Sequence, residues 1–303
     1  MANATAIATT RLPVTWLEVF ADQPLGGNLH VVVHDADVLD DATLAAFARR
    51  MRLSETSYVQ SPSEPGADYR HRIFTMVTEI PFAGHPSLGT AAAVARARGE
   101  RSAHLVQQTG AGLQPLRVDL DGTGASATVE ISQNPPAHLG DTASEPLLAA
   151  LGLARGDGRT ELPASVISTG LPTLVLPVKD LEALQHARPD LGALSDALVA
   201  APGSPLTCYV VVPPGAGGDG SRWRARCFTD QVGGGEDAAT GSAAGPLTAY
   251  AHLHLGADAV EIDQGVELGS PSRLSGRVDG ARIVVAGNVR FVGAGTIELP
   301  ARA

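Results

Sequence analysis

Aromatic side chains are scarce in this chain, at 4% of residues, and cysteine is scarcer still, with only Cys208 and Cys227 among 303 residues. Two thiols at that spacing form neither a disulfide framework nor a metal site, and both are expected to stay reduced in the cytoplasm. With so few aromatics the core must be filled by small and branched side chains, and Ala, Gly and Val are abundant. Basic residues are outnumbered, 22 Lys and Arg against 32 Asp and Glu, for a net charge of −10. That balance argues against a nucleic-acid partner, which needs a basic face, but leaves room for local positive potential in a cleft. No apolar run approaches the roughly 20 residues needed to span a bilayer. The chain start, Met1 to Pro13, lacks the basic and apolar regions of a signal peptide. The expected location is therefore cytoplasmic, with neither nucleic acid nor membrane as partner. What is present is a hydrophobic fraction of 44%, enough for a packed core, in a length that suits two ordinary domains or one large one.

An internal repeat organises the chain. Tyr69-Arg70-His71-Arg72-Ile73-Phe74-Thr75 and Trp223-Arg224-Ala225-Arg226-Cys227-Phe228-Thr229 share the pattern aromatic-Arg-x-Arg-x-Phe-Thr. Its alternation predicts a half-buried strand. Each strand is followed by a Gly-containing loop and a helix of small residues, one from Gly84 to Arg98 and one from Thr240 to Leu255, with Gly99 and Gly256 placed for left-handed C-caps. Upstream, Gly27-Asn28-Leu29-His30-Val31-Val32-Val33 matches Gly170-Leu171-Pro172-Thr173-Leu174-Val175-Leu176, a turn feeding an apolar strand. A helix follows each, lined by Leu44, Phe47 and Met51 in the first and broken by Pro189 in the second, and then a strand near Tyr58 or Tyr209. Strand, helix, strand, strand, central helix thus occurs twice. The linker is expected near Ser132 to Ser144, with Ser144 capping a short helix and Pro146 in its first turn. The apolar tail, Ile283 to Val292, either finishes the second half or crosses back to the first.

The two central helices have thin bodies that strands can surround closely. Their starts carry glycine or polar residues, and the first N–H groups of a helix are unpaired and partly positive. Two such ends across a cleft could hold a carboxylate or stabilise an anion formed when carbon loses a proton. Chemistry is expected where the repeats differ. With Tyr58 aligned on Tyr209, Glu55 faces Leu206. With Gly89 aligned on Gly245, Asp237 faces Pro81 in a longer loop and His85 faces Gly241. Each half supplies an ionisable group the other lacks. The plain readings are a strand-end carboxylate or local cap for Glu55, an acidic pair favoured by the helix dipole for Glu236-Asp237, and a satisfied helix-start histidine for His85. His104, His186, His252 and His254 fall on expected surfaces, and no third ligand joins the last two into a metal site.

At these residues the chain resembles the PhzF-like family, named for the phenazine-biosynthesis isomerase, which shares the diaminopimelate epimerase fold. The matching stretches are Val19-Phe20 through Gly27-Asn28, Leu53-Ser54-Glu55-Thr56, Ile80 to Pro86, Glu236 to Gly245, and Gln264-Gly265 with Gly269 and Pro271-Ser272. The resemblance implies an α+β fold of two pseudo-symmetric domains, each a curved, mostly antiparallel sheet wrapped around a central helix. The first domain would span 1–133, with a C-terminal strand at about 288–303 available to complete it, and the second 134–287. It implies an active site between the domains, with homodimers common. The Ser-Glu-Thr glutamate that moves a proton maps to Glu55, the Gly-His-Pro histidine to His85 and the Glu-Asp aspartate to Asp237. Asn28, Gly84, Gly241 and Ser242 map to positions lining the substrate site.

Four positions depart from the family pattern. Leu29, followed by His30, replaces the usual proline after Gly-Asn. Ala238 replaces the proline after Glu-Asp, Thr78 an asparagine, and Ser270 an arginine before Pro-Ser. They leave substrate identity more open than reaction type. The expected function is a cofactor-independent isomerase of secondary metabolism, with no metal, acting on a small acidic or cyclic metabolite. A two-thiol racemase is disfavoured because the central-helix starts carry Gly84-His85 and Thr240-Gly241 in place of cysteines. The competing classes are a non-catalytic binding or assembly protein that keeps the cleft, and a related proton-abstraction or elimination enzyme.

Overall fold

A computed structural model of the protein describes residues 8–216, 221–230 and 235–301. Residues 1–7, part of the chain start read above, and 231–234, within the longer loop before Asp237, lie outside the described residues. The first half of the chain runs β1 (Thr9–Val19), β2 (Asn28–Val33), α1 (Asp41–Met51), β3 (Thr56–Gln60), β4 (Tyr69–Phe74), β5 (Glu79–Ile80), α2 (Gly84–Ala97), β6 (Ser102–Thr109), β7 (Gly112–Leu120) and β8 (Ser126–Ser132). The second runs β9 (Ala137–Thr142), α3 (Ser144–Ala150), β10 (Ala164–Ser168), β11 (Pro172–Pro177), α4 (Leu181–His186), α5 (Leu191–Ala200), β12 (Thr207–Val212), β13 (Trp223–Phe228), β14 (Glu236–Asp237), α6 (Gly241–Leu255), β15 (Ala259–Gln264), β16 (Ser272–Asp279) and β17 (Arg282–Pro300).

The pairing pattern repeats step for step. Parallel β2–β3 and β4–β6 are matched by parallel β11–β12 and β13–β15. Antiparallel β3–β4, β4–β5 and β6–β7 are matched by β12–β13, β13–β14 and β15–β16. The tail does not choose between the halves. β17 pairs antiparallel with β16 and β8 along its first part and with β1 from Val289 to Pro300.

Each sheet curves around its own helix. Every residue of α2 from Gly84 to Ala95 is buried, as is α6 from Ala243 to Ala251. Alanine and glycine keep both helices narrow, so strands approach from all sides and one continuous apolar core joins α2, α6 and the inner sheet faces. Two smaller cores lie outside the sheets, one under α1 and one under α3, α4 and α5. Asp40, Asp180 and Asp190 cap α1, α4 and α5 through their side chains. Ser144 does not act as a cap. The N-cap of α3 is Ala143, extended at the end of β9, and Ser144 is the first helical residue. The break after Ser132 is also shorter than the expected linker, because Ala137–Thr142 forms a strand antiparallel to β10. Among the described residues, no helix is long and apolar enough to cross a membrane.

The repeat alignment needs a one-residue correction. Asp237 pairs with Cys227 and Glu236 with Phe228, just as Ile80 pairs with Ile73 and Glu79 with Phe74. The counterpart of Asp237 is therefore Ile80, not Pro81, and at the helix starts Gly241 matches Gly84 and Ser242 matches His85. Likewise Tyr209 points to the α6 core while Tyr58 belongs to the α1 core. Ser57 is the inward match of Tyr209, and Glu55 corresponds to Thr207, not Leu206. Matching glycines misled the alignment because they serve different ends. A Cβ on Gly89 would meet Val19 and His30, and one on Gly245 would meet Gln133 and Thr169. The repeated arginines gain a physical reason. Arg72 forks Glu79 at 2.8 and 2.6 Å, and Arg226 forks Glu236 at 2.8 Å on both arms, each pinning its short return strand.

Candidate active site

The starts of α2 and α6 meet where the domains join. A Cβ on Gly84 would lie 2.5 Å from the Gly241 carbonyl carbon and the Ser242 nitrogen, so only glycine permits this approach. Neither helix has a capping side chain at its start, which leaves first-turn N–H groups available to a ligand. Beside them lies a cavity of about 120 Å3 lined by Glu55, His85, Asp237, Gly84, Gly241 and Ser242. Drug-sized ligands occupy roughly 300–1,000 Å3, so this space suits a small metabolite. A larger groove of about 450 Å3 near Arg159, Trp223 and His254 is more open and does not touch the helix starts.

Asn28 ties the domains together at the cavity. The Gly27 turn, at φ +71°, delivers it to the first position of β2. Its Nδ2 donates to Asp237 Oδ1 at 2.7 Å and to the Ala239 carbonyl at 3.3 Å, and lies 3.3 Å from His85 Nδ1. Nδ2 shares two hydrogens among these three neighbours, and a donor facing His85 Nδ1 at 3.3 Å favours the imidazole tautomer with its proton on Nε2. That atom lies 3.2 Å from Glu55 Oε2, without hydrogen-bond alignment. Burial lowers His85 to about 3, so the ring is neutral.

Glu55 stands just before β3. Burial, reinforced by the charge of Asp237, raises its pKa well above the usual carboxylate range. Burial also raises Asp237, while hydrogen bonds from Thr240 and Asn28 oppose the rise. Thr240 Oγ1 donates to Asp237 Oδ2 at 2.6 Å. Gln264 Nε2 donates to the Asp237 carbonyl at 2.8 Å and to Thr240 Oγ1 at 2.9 Å, and Tyr209 holds Gln264 Oε1 from behind. Asp237 thus rests on donors suited to an anion, whereas no described hydrogen bond holds the Glu55 carboxyl oxygen Oε2. Of the two carboxyls, Asp237 is therefore the easier to ionise and Glu55 the harder.

All seven residues singled out by sequence come together here. Thr75 and Thr229, which close the two repeated strand motifs, also line the cavity and are 4% and 3% exposed. Their repetition was the signal that could have marked them. Phe82, Leu171 and Thr240 are also part of the wall. Cys227 lines the cavity too, but Cys208 faces the separate core under α4 and α5, so the two thiols do not oppose each other across the site. Among the described residues no group of three or more His, Cys, Asp or Glu side chains is arranged to hold a metal ion.

Comparison with known proteins accords with this geometry. The chain is 38% identical over 271 residues to trans-2,3-dihydro-3-hydroxyanthranilate isomerase of Pseudomonas aeruginosa, covering 88% of this chain and 90% of that one. It superimposes with a TM-score of 0.80 on a Pseudomonas aeruginosa protein described as a predicted epimerase, at 34% identity, covering 95% and 99% of the two chains. A hydroxyproline epimerase from Agrobacterium vitis shares the fold alone, with a TM-score of 0.66 at 13% identity over 98% and 94% of the chains. The PhzC-PhzF family, phenazine biosynthesis-like protein, matches residues 17–297. The chain therefore belongs to that family, and its enzymatic class is isomerase.

Proposed function

We propose that the chain moves a proton between carbons of a small cyclic carboxylate, with Glu55 as the group that takes the proton and returns it. The observation carrying this reading is a buried carboxyl of raised pKa, 3.2 Å from a neutral imidazole and lining a small cavity. A carboxyl poised to hold or release a proton near neutrality can serve as base and then as acid on one substrate. No lysine or arginine is among the described residues lining the cavity, so the substrate carboxylate would rest on the uncapped N–H groups of α2 and α6. The same N–H groups would stabilise the delocalised anion after proton loss. His85 and Asp237 would orient polar groups of the ligand.

The relative's named substrate is the compound to test. Purified protein supplied with trans-2,3-dihydro-3-hydroxyanthranilate should convert it to an isomer of unchanged mass. Glu55→Gln should lose roughly 10²–10⁴-fold in kcat while still binding the compound. Full activity in Glu55→Gln removes Glu55 from the mechanism. Loss of water from the substrate would make the enzyme an eliminase, and binding without turnover would favour a binding protein.

A further inference from the structure

Behind His85 lies a buried polar chain that the catalytic reading leaves unused. His30 Nε2 is 2.8 Å from Ser57 Oγ, Ser57 Oγ is 2.7 Å from His71 Nε2, and His71 Nδ1 is 3.0 Å from Gln107 Oε1. Gln107 Nε2 in turn donates to Ser87 Oγ and Gln114 Oε1, at 2.9 and 2.8 Å. Each of these side chains is buried. The donor count fixes the polarity of the chain. Gln107 Oε1 must accept, so His71 carries its proton on Nδ1 and accepts at Nε2. Ser57, the nearer of two hydroxyls there with Thr90 Oγ1 at 3.2 Å, donates to it and accepts from His30, which therefore carries its proton on Nε2. Burial, then the neighbouring His85 and His71, keeps the His30 ring neutral.

The His30 ring packs edge-to-face on His85, with centroids 5.3 Å apart and planes at 86°. It also lies over Gly89, one helical turn beyond His85, where a Cβ would come within 3.1 Å of His30 Cδ2. The missing side chain at Gly89 gives the imidazole its seat beneath His85. The second domain has a comparable device: Tyr209 and Gln264 support Asp237 and Thr240 from behind. We propose that His30 is a positioning residue, fixed by Ser57, His71 and Gln107, whose ring holds the His85 imidazole with Nε2 turned toward Glu55.

This rests on the proposed role of His85, so the deciding measurement uses the ligand-free protein and needs no substrate. Nitrogen-15 histidine NMR should show wild-type His85 as one neutral tautomer protonated at Nε2. His30→Gln keeps a donor for Ser57 but removes the ring, and should give a mixture of His85 tautomers. His30→Phe restores a ring and should return the single tautomer. On a turned-over substrate, His30→Gln should lower kcat roughly 10- to 100-fold with KM within about twofold, and His30→Phe should recover most of the loss. Should His30→Gln fail to fold, Ser57→Ala, which frees the His30 ring, should give the same mixed signals. A His85 spectrum identical to wild type in folded His30→Gln or Ser57→Ala overturns the proposal, whatever the substrate proves to be.

Discussion

Replacing Asn28 by leucine tests the joint between the domains. The side chains are similar in size, and Asn28 is 5% exposed, so the change acts on hydrogen bonds more than on volume. Asp237 loses its 2.7 Å donor and keeps Thr240, while His85 Nδ1 loses the Asn28 donor that defines its tautomer. A hydrogen bond to a charged group contributes about 1.5–3 kcal/mol, and an orphaned buried acceptor costs about 1–3 kcal/mol. Removing the buried amide itself returns part of this, leaving a net loss of about 2–3 kcal/mol. The loss depends on pH. The bond stabilises ionised Asp237, so its removal raises the folded pKa further. A group whose folded pKa is raised loses stability as pH rises, so the deficit of the variant should widen from pH 5 to pH 8. Urea unfolding of both proteins across that range measures it. A deficit below about 0.5 kcal/mol, or one that does not change with pH, would refute the clamp.

Other predictions follow from the same geometry. Gly84→Ala places a methyl group against the backbone of Gly241 and Ser242, which cannot yield as a side chain would, and should cost more than about 4 kcal/mol. Thermal unfolding and soluble yield report this. Arg226→Lys gives up the fork on Glu236 and the bonds to the Leu184 and Ala187 carbonyls, and should cost about 2–4 kcal/mol and lower kcat by loosening the strand that carries Asp237. His30, His71 and His85 are neutral in the folded protein well below pH 6.5 and take up protons when unfolded, so they lose stability as pH falls below that value. Glu55 and Asp237 hold protons in the folded state and oppose them. Stability should fall between pH 6 and pH 5 by the equivalent of about one net proton, about 1.4 kcal/mol per pH unit. The double variant Glu55→Gln, Asp237→Asn should show a steeper fall, and an unchanged slope would contradict these assignments.

Much of the architecture was legible because it is written in local patterns. The aromatic-Arg-x-Arg-x-Phe-Thr repeat located β4 and β13, and runs of small residues located α2 and α6. Glu55, His85 and Asp237 stood out as breaks in that repeat. Register was less legible, since a one-residue shift leaves an apolar run looking the same while turning every side chain to the other face. Ladder pairing, not glycine matching, decides it. The partners of the site were the hardest to read. Gln264, Thr240 and Tyr209 are remote in sequence or chemically ordinary, and only the closure of the second sheet brings them to Asp237. His30 was visible as a departure from the family pattern, but nothing local announced that it lies 2.8 Å from Ser57.

The central claim, that Glu55 carries the proton, is tested most directly by turnover of trans-2,3-dihydro-3-hydroxyanthranilate in heavy water with product analysis by mass and NMR. Wild-type protein should place deuterium at a single ring carbon in those turnovers in which Glu55 exchanges its proton with solvent before returning it, and Glu55→Gln should place none. Deuterium entering the product at the wild-type rate with Glu55→Gln would show that another group performs the transfer.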